Sequence, residues 1–515
     1  AESGVLFNNA HCPAPACNPS RSAIMTGLSP NISGLYENGQ KLREILPTAE
    51  LLPKYFSRHG YWSGGSGKML HYFIDAQSWD EYYPAKETEN PFPPHMPWGT
   101  RPKSLPRGGP WQYTETDWHA FDVSDDEFGG DSKVADWVGE QLNENRDKPF
   151  FLAGGIYRPH EPWFVPKKYF DLFPIDDVQL PPGYKGDDLE DLPPSGKRAG
   201  PNRYFKHIRE QGQWKRGVQA YLASISYADA MLGRVLNSLE QSRFRDNTIV
   251  VLWSDHGWHL GEKQHWQKFT MWRAATRVPF IVRVPKGAPG LLSGTKAGGV
   301  CQQPVNLLSL FPTLTELCGL PGKADNDGPS LVPLLENPSE SWPHLSVTYG
   351  RRGTIGVSGK SWRYIRYSSG DEELYDIASD PFEWRNLAGS QGHSEKLAEF
   401  RDRMPSEFAT HVPIRETSLP ELKWQAVKQG EELLSKPDGR QFDVVFFNER
   451  TVPVNLFLMN EQGDAHSHGQ IAAGKRQRKT TRPGELWLIR DLAGKKLGSF
   501  LVDDRSARAV IPDDD

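Results

Sequence analysis

The chain has 515 residues, with 60 Lys and Arg against 65 Asp and Glu and a formal net charge of -5. This length allows about two to four domains, and the balanced charge excludes a general attraction for nucleic acid or an anionic membrane. Hydrophobic residues make up 37% of the chain, and no apolar run approaches the roughly 20 residues that cross a bilayer. The sequence therefore predicts a soluble protein without a membrane span, in which any anion site must be local.

Apolar runs and amphipathic stretches alternate as far as about residue 320, which is typical of helices packed on a mostly parallel sheet. Residues 248–253 are predicted as a strand covered on both faces, and residues 150–156 and 278–284 as two further strands. Residues 218–239 carry apolar side chains at intervals of three and four, which predicts a helix with one buried stripe. Because sites in open α/β sheets collect at the carboxyl ends of strands, we expect functional residues directly after these strands.

Two later regions differ in composition from the first. Residues 321–427 combine Pro-rich turns with a hairpin predicted at 362–367 and a helix predicted at 394–403, which indicates a smaller α+β subdomain. A polar segment then precedes short predicted strands, which are residues 442–447, 454–459, 485–490 and 499–502. These strands predict a separate small β domain over residues 440–512.

Cys17 begins the first motif, in which Pro19, Arg21 and Gly27 follow it along a predicted helix. A free cysteine often packs as a small buried hydrophobe, so Cys17 by itself could be purely structural. Arg21 by itself could form an ion pair on the helix surface. Ser20 and Thr26 extend the Cys-x-Pro-x-Arg pattern, and the five positions that coincide in addition to Cys17 make it specific.

Lys68 and His71 follow the glycine-rich residues 64–67, and this stretch invites a phosphate-loop interpretation. The spacing excludes it, because Trp62 stands where a Walker motif needs glycine and Met69 stands where it needs Ser or Thr. Taken alone, Lys68 and His71 are as consistent with an exposed loop as with an anion site.

His160 follows the strand predicted at 150–156 and lies between Pro159 and Pro162, in a stiff and extended segment. Such stiffness suits a positioned acid or base. A loop histidine with satisfied hydrogen bonds is the structural alternative.

Asp255 and His256 come directly after the apolar run 248–253, and Lys268 follows in the same loop region. A carboxylate at a strand end suits a hard cation such as calcium or magnesium, whereas a histidine nitrogen is a less usual ligand for these ions. The pair therefore predicts a metal site with an unusual ligand at the sheet edge.

In this order the four motifs resemble those of the formylglycine-dependent (type I) sulfatases, and residues 254–262 resemble the branch that contains iduronate-2-sulfatase. The resemblance extends to about residue 425. It implies an alkaline-phosphatase-like α/β domain over residues 1–320, with a mostly parallel sheet between helices. It also implies a smaller α+β C-terminal subdomain over residues 321–427.

The same resemblance implies a role for each candidate residue. Cys17 is converted to formylglycine, whose hydrate attacks sulfur with one hydroxyl and expels sulfate with the other. One calcium ion is bound by Asp255, His256 and Cys17 and lowers the pKa of the hydrate. The implied catalytic roles are that Arg21 holds the nucleophile oxygen, Lys68 and Lys268 contact sulfate, His71 acts as base, and His160 protonates the departing alcohol.

One element of the family pattern is missing from this sequence. It is a strand that ends in an Asp-Asp pair and gives two carboxylates to the metal. Asp125-Asp126 and Asp187-Asp188 do not follow apolar strands, so we interpret both pairs as exposed loop acids. We therefore expect a central strand with this acidic pair to precede Ala1 in the complete protein.

Residues 440–512 resemble the β domain of the von Hippel-Lindau protein, through segments 442–448 and 484–491. That domain reads hydroxyproline through polar groups near a tryptophan, which corresponds to Trp487. Thr481 and Glu485 replace the serine and histidine of that motif. The sequence therefore favours a β module that braces the enzyme or binds a protein or glycan partner.

The leading interpretation is a sulfatase that removes sulfate from a carbohydrate, such as a polysaccharide that contains uronic acid, or from its oligosaccharides. The alternatives are a phosphodiester or phosphonate hydrolase of the same superfamily and a catalytically silent binding protein. The resemblance also implies maturation by a formylglycine-generating enzyme and export to the periplasm or the cell exterior. The first residues themselves show no signal peptide.

Overall fold

The computed structural model describes residues 2–94, 102–107, 115–414, 416, 419–427, 433–437, 441–503 and 506–513. Its α-helices are α1 Cys17–Thr26, α2 Pro30–Ser33, α3 Leu42–Ile45, α4 Leu52–Arg58, α5 Asp125–Phe128, α6 Asp131–Asn143, α7 Lys167–Phe170, α8 Pro194–Lys197, α9 Arg203–Glu210, α10 Trp214–Gln241, α11 Arg273–Thr276, α12 Leu310–Leu317, α13 Val332–Glu336 and α14 Ser394–Asp402.

The strands before the C-terminal region are β1 Val5–Phe7, β2 Ala10–His11, β3 Trp62–Gly67, β4 Glu81–Tyr83, β5 Trp118–Phe121, β6 Phe150–Gly155, β7 Trp163–Pro166, β8 Val250–Trp253, β9 His259–Leu260, β10 Trp266–Gln267, β11 Phe280–Arg283, β12 Gly299–Cys301, β13 Val305–Asn306, β14 Ser346–Tyr349, β15 Ile355–Ser358, β16 Trp362–Arg366 and β17 Glu372–Asp376. The C-terminal strands are β18 Phe442–Asn448, β19 Val454–Met459, β20 Ala465–Ile471, β21 Arg476–Thr481, β22 Leu486–Arg490, β23 Lys496–Leu501 and β24 Ala507–Ile511.

Four strands of the N-terminal region form a mixed sheet in the order β12-β1-β11-β8. β1 is parallel to β12, whereas β11 is antiparallel to both β1 and β8, with Phe280 opposite Trp253. The strand predicted at 278–284 is therefore present as β11, but its amino end lies beside the carboxyl end of β8. The expectation that a site follows its carboxyl end is wrong, because an apolar run does not encode strand direction.

β4, β3 and β6 form a second, parallel sheet with β6 at one edge. On one face of the layer, Phe150 and Val250 pack on a common apolar cluster. On the other face, Phe151 and Val251 pack on a second common cluster. β6 and β8 thus occupy one layer, yet among the described residues neither has a strand partner at its second edge.

The half-buried side chains of β8 follow from this arrangement. The prediction that residues 248–253 form a strand covered on both faces is confirmed for β8, because its side chains pack on an apolar cluster on each face. Its side chains are only half-buried because its second edge has no strand partner among the described residues.

The helix predicted at 218–239 is confirmed as part of α10, but its buried stripe differs from the predicted one. Ile225 and Leu236, both expected in the stripe, are exposed. The buried positions of α10 are Gly217, Val218, Gln219, Ala220, Ala223, Ser224, Tyr227, Met231 and Leu239. Because α10 packs on α6, β7 and α7, small side chains are needed at the contacts, and spacing of large apolar residues does not reveal them.

β14 to β17 form an antiparallel sheet in chain order, and α14 follows it. The helix predicted at 394–403 is confirmed by α14. The hairpin predicted at 362–367 is wrong, because those residues form the single strand β16, which pairs with β15 and β17. Tyr364 and Ile365 point to clusters on opposite faces, as consecutive residues of one strand must.

The C-terminal strands form two sheets around one core, in the orders β21-β18-β24 and β20-β19-β22-β23. The predicted strands correspond to β18, β19, β22 and β23. β20, β21 and β24 are absent from the prediction, because polar and charged side chains obscure their alternation. Trp487 belongs to the core, where its Nε1 donates a hydrogen bond to Thr481 Oγ1 at 3.0 Å.

The two acidic pairs do not lie wholly in exposed loops. Asp125 is buried at the start of α5, and its carboxylate accepts a hydrogen bond from Lys168 Nζ at 2.8 Å. Asp188 is buried against Lys263, with 2.8 Å between Oδ1 and Nζ. Both partners are distant along the chain, so the local pattern cannot predict this burial. Neither pair ends an apolar strand, as expected, but the interpretation of both pairs as exposed loop acids is wrong for Asp125 and Asp188.

The contacts divide the chain into two compact units. The first comprises residues 1–101, 119–201 and 214–412, and it contains the candidate site. The second comprises residues 102–118, 202–213 and 413–515, and it contains the C-terminal sheets. Among the helices of the described residues, none has both the length and the apolar character that a membrane span requires.

Candidate functional site

Cys17 occupies the first turn of α1, where its thiol is buried. Unpaired backbone N–H groups and the helix dipole favour a negative charge at this end of a helix. Ser20, one turn further along, donates a hydrogen bond from Oγ to the Asp255 carbonyl oxygen at 2.5 Å. This bond attaches α1 to the loop that follows β8.

Three cationic or basic side chains surround the Cys17 sulfur. Lys268 Nζ lies 2.9 Å from Sγ, His256 Nε2 lies 3.2 Å away, and Lys68 Nζ lies 3.7 Å away. Burial alone would raise the pKa of Cys17, but Lys268, Lys68 and His256 together lower it well below its usual value. The position therefore favours an anion.

In its neutral form, His256 has a defined tautomer in this arrangement. Its Nδ1 lies 2.8 Å from the Gly257 carbonyl oxygen, which can only accept, so Nδ1 carries the proton. Nε2 therefore presents a lone pair to Cys17 and to Lys268 Nζ, which is 3.2 Å away. A lone pair in this position can bind a proton or a metal ion.

Arg21 forms a buried ion pair with Asp255, with 2.7 Å between Nε and Oδ2. Its Nη1 also donates to the carbonyl oxygens of Lys68 and Met69. Although burial opposes ionisation, Arg21 and then His256 lower the pKa of Asp255 to about 2. Arg21 is thus not a surface residue, and it joins α1, the end of β3 and the loop after β8.

Burial lowers the pKa of His71 and that of His160, and the nearby Cys17 thiol opposes this shift in both. His160 Nδ1 lies 2.6 Å from the Glu161 carbonyl oxygen and 2.9 Å from the Tyr157 hydroxyl. Because a carbonyl only accepts, Nδ1 carries the proton and Nε2 is left with its lone pair. His71 Nδ1 is buried without a hydrogen-bond partner.

Tyr157 is a site residue that the sequence analysis does not include. Its hydroxyl contacts His160, and its ring lies 5.0 Å from Lys68 Nζ. Asp131, the first residue of α6, accepts a hydrogen bond from the Tyr157 backbone N–H at 2.7 Å. The sequence signal that could have identified Tyr157 is its position two residues after the end of β6, because residues at strand ends line sites in this class of sheet.

The structure brings all of the sequence-derived candidates into one cluster: Cys17, Arg21, Lys68, His71, His160, Asp255, His256 and Lys268. Lys68, Lys268 and Arg21 supply three positive side chains against the single carboxylate of Asp255. Burial lowers the pKa of Lys68 to about 8, which still leaves it largely protonated at neutral pH. The cluster is therefore suited to bind a tetrahedral oxyanion beside Cys17.

Cys17 Sγ, an Asp255 oxygen and His256 Nε2 lie within 4.8 Å of one another, so they form a cluster that could hold a metal ion. By themselves they fit calcium poorly, because calcium takes about six to eight oxygen ligands and this cluster offers one carboxylate. Arg21 and Lys268 also direct positive charge at the same donors. A calcium ion here would need carboxylates beyond those of the described residues.

Comparison with known families matches residues 1–320 to the family described as Sulfatase, and residues 261–409 to N-sulphoglucosamine sulphohydrolase, C-terminal. A protein named sulfatase from Formosa agariphila is 40% identical over 426 residues, which cover 80% of this chain and 81% of that protein. Iduronate 2-sulfatase from Mus musculus is 31% identical over 361 residues, which cover 62% of this chain and 63% of that protein.

Two solved structures share the fold at low sequence identity. One is described as a complex with its substrate D-glucosamine-2-N,6-O-disulfate; it has a TM-score of 0.59 and 22% identity, over 78% of this chain and 90% of that chain. The other is a phosphonate monoester hydrolase of Agrobacterium radiobacter, with a TM-score of 0.59 and 20% identity, over 80% of this chain and 93% of that chain. The predicted alkaline-phosphatase-like fold is confirmed. Because the sulfatase family match also covers more than half of the chain, the protein belongs to the sulfatase family and is a sulfuric ester hydrolase.

Proposed function

We propose that this protein hydrolyses sulfate esters of a carbohydrate, such as a sulfated polysaccharide that contains uronic acid, or its oligosaccharides. The observation that carries the proposal is the buried Cys17 sulfur with Lys268, Lys68 and His256 around it. The iduronate 2-sulfatase relative and the structural neighbour with a glucosamine disulfate support a carbohydrate substrate.

In the proposed mechanism, Lys68 and Lys268 bind the oxygens of the sulfate group and neutralise its charge. The hydrated formylglycine derived from Cys17 supplies the nucleophilic hydroxyl and the second hydroxyl that later expels sulfate. His71 takes a proton at the Cys17 position. His160 Nε2, with Nδ1–H fixed on the Glu161 carbonyl, is oriented to exchange a proton with the departing oxygen.

Arg21 has a positioning role in this proposal. Its guanidinium keeps Asp255 ionised and holds the Lys68 carbonyl, so it fixes the two segments that carry the anion-binding groups. This differs from direct contact with the nucleophile oxygen, the role implied by family resemblance. These contacts use Nε and Nη1, and the two N–H groups of Nη2 are left as the donors that could still meet an anion.

We also propose that an additional strand lies between β6 and β8 and carries the acidic pair of a calcium site. Both strands have an edge without a strand partner among the described residues, and both are half-buried. A strand in this place would neighbour β8, which leads into Asp255, and the three donors there need more carboxylates to hold calcium. Calcium would then supply Lewis-acid chemistry to the sulfate oxygens.

Sulfate release from a panel of sulfated oligosaccharides tests the proposal. We expect release by a chain that includes the Asp-bearing strand, and none by its Cys17→Ala variant. Calcium should raise the melting temperature of that longer chain more than that of residues 1–515, because only the former has enough carboxylates. Faster hydrolysis of phosphodiesters or phosphonates would favour the phosphonate hydrolase alternative, and no turnover of any ester would favour a binding protein.

Conversion of Cys17 by a formylglycine-generating enzyme can be measured directly. A tryptic peptide that contains residue 17 should show the mass of formylglycine after co-expression with that enzyme, and the mass of cysteine without it. Detection in the exported fraction of the native host would support the proposed location in the periplasm or the cell exterior.

We further propose that the C-terminal β domain is a von Hippel-Lindau-like module that binds a protein or glycan partner. Trp487 is buried and bonded to Thr481, so hydroxyproline recognition at this tryptophan is not part of the proposal. Capture of sulfated glycans by the full chain, lost on substitution within the domain, would support a glycan partner.

A further inference from the structure

Two large aromatic side chains lie beside the residues that surround Cys17 and are exposed to solvent. Tyr72 follows His71 in the chain and is 43% exposed, and Phe269 follows Lys268 and is 55% exposed. Exposed aromatic groups near a polar site are typical of surfaces that bind an apolar part of a ligand.

Both residues have an unfavourable backbone conformation. The φ angle is 58° at Tyr72 and 75° at Phe269, in the left-handed region that side chains other than glycine rarely adopt. The Phe269 backbone N–H donates to the Pro15 carbonyl oxygen at 3.0 Å, which holds this turn against the segment that leads into α1. Strained residues of this kind collect at functional sites, because their side-chain direction is needed there.

A lysine ammonium group lies close both to the Cys17 sulfur and to each of the two rings. Lys68 Nζ is 3.7 Å from Sγ and 5.1 Å from the Tyr72 ring centre. Lys268 Nζ is 2.9 Å from Sγ and 5.7 Å from the Phe269 ring centre. A sulfate group held by both ammonium groups would therefore have an aromatic side chain close to each of them.

We propose that Tyr72 and Phe269 form an aromatic rim that binds the sugar ring from which sulfate is removed. The inference rests on the proposed function, since the sulfate position is defined by Lys68 and Lys268. A pyranose ring has an apolar C–H face that packs on an aromatic ring, whereas a small acyclic alcohol offers no such face. The rim thus selects cyclic carbohydrate sulfates over sulfates of small acyclic alcohols.

Equilibrium binding to the Cys17→Ala chain tests the rim without turnover. The probes are inorganic sulfate and a panel of sulfated disaccharides prepared from heparin and chondroitin sulfate. We expect Tyr72→Ala and Phe269→Ala, each in this background, to weaken binding of the tightest disaccharide by about tenfold. Binding of inorganic sulfate should change less than about twofold, because the rim does not contact the sulfate oxygens.

Phe382→Ala is the matched control, because Phe382 is also an exposed phenylalanine, at 39%, and its ring packs on Trp384 away from Cys17. It should leave both affinities unchanged. Phe269→Leu keeps apolar bulk without a ring and should behave like Phe269→Ala, which covers the case in which the alanine variant does not fold.

The proposal is overturned if no disaccharide binds more tightly than inorganic sulfate, or if the rim variants weaken both probes equally. Failure of the proposed function has a different signature, namely no sulfate release by the active chain whatever the disaccharide affinity. A second measurement addresses the backbone strain at Tyr72. Tyr72→Gly should melt at a higher temperature than Tyr72→Ala, because glycine adopts a positive φ without cost. Both variants should weaken disaccharide binding equally.

Discussion

At the scale of single residues, the charges of neighbouring side chains set the pKa of the buried Cys17 thiol. Its pKa falls because Lys268, Lys68 and His256 outweigh the cost of burial. An anion at this position is therefore stabilised before any substrate arrives, and in the proposed mechanism the same groups would stabilise charge that develops during sulfate transfer. Arg21 contacts Asp255 and the Lys68 carbonyl oxygen, and its positioning role belongs to the same proposal.

Lys268→Met should lower kcat/KM for a sulfated oligosaccharide by about 100-fold or more, as expected for loss of one preorganised donor to a developing anion. The measurement is steady-state sulfate release by the mature enzyme. Lys286→Met, at an exposed position in another loop, is the control and should have no effect. A similar loss in both variants would exclude a specific role for Lys268.

His259 predicts a pH-dependent contribution to stability. Burial, and then the neighbouring His265, lowers its pKa well below the usual value of 6.5. Its Nδ1 donates to the Glu262 carbonyl oxygen at 3.0 Å, and its Nε2 accepts from Thr270 Oγ1 at 2.7 Å, so both nitrogens are satisfied in the neutral form. Between the folded and unfolded pKa values the unfolded chain binds more protons, and this contribution is lost as pH falls below about 6.5.

The difference in unfolding free energy between wild type and His259→Gln, measured by urea denaturation, isolates this term. It should shrink by up to about 1.4 kcal/mol for each pH unit below 6.5, because the variant has no proton to bind there. Parallel profiles from pH 7.5 to pH 5 would show that His259 does not stay neutral in the fold.

At the scale of elements, the end of β3 positions Lys68 by close backbone packing. Gly67 has φ of 73°, and a Cβ atom there would lie 2.3 Å from the Gly155 carbonyl oxygen at the end of β6. The Lys68 backbone N–H donates to that same oxygen at 2.7 Å. Only glycine allows the two strands to approach this closely while Lys68 turns toward Cys17.

Gly67→Ala should therefore lower the free energy of unfolding by about 3 kcal/mol or more, since backbone atoms must move. Gly60→Ala is the matched comparison, with φ of 91° but no atom within 4 Å of the added Cβ. Gly60→Ala should lower the free energy of unfolding by only about 1–2 kcal/mol, because it adds the strain of a left-handed alanine without a steric clash. Equal losses in urea denaturation would mean that the contact with Gly155 is not limiting.

At the scale of the whole molecule, the sheet layer of the first unit is divided between β6 and β8. Both strands pack on the same two apolar clusters, so helices cover the layer as they would cover a continuous sheet. The second edges of both strands nevertheless have no strand partner among the described residues. Backbone groups at such edges depend on water for hydrogen bonding.

Hydrogen exchange resolved to single amides should reveal this division. In a chain of residues 1–515, amides of β6 and β8 that face away from β3 and β11 should exchange much faster than amides of β3, which has strand partners on both sides, and the proposed additional strand should remove this difference. Amides of β19, which is also paired on both sides, provide the control within the other unit. Uniform protection across β6 and β8 would contradict the open edges.

The sequence predicted which residues make up most of the candidate site. Cys17, Arg21, Lys68, His71, His160, Asp255, His256 and Lys268 were each identified from motif spacing, and the fold brings them together. Tyr157 was missed because a tyrosine after a strand has no motif of its own. The burial of Asp125 and Asp188 was missed for a related reason, since their partners Lys168 and Lys263 are distant in the chain.

The sequence by itself determined the strands β8, β18, β19, β22 and β23, the helices α10 and α14, and the set of candidate site residues, because periodicity and motif spacing are local properties of the chain. The tertiary structure decided the direction of β11, the buried face of α10, the single strand β16 in place of a hairpin, and the contacts of Arg21. These features depend on contacts between segments far apart in sequence, and such contacts are set by how layers pack and which charges meet.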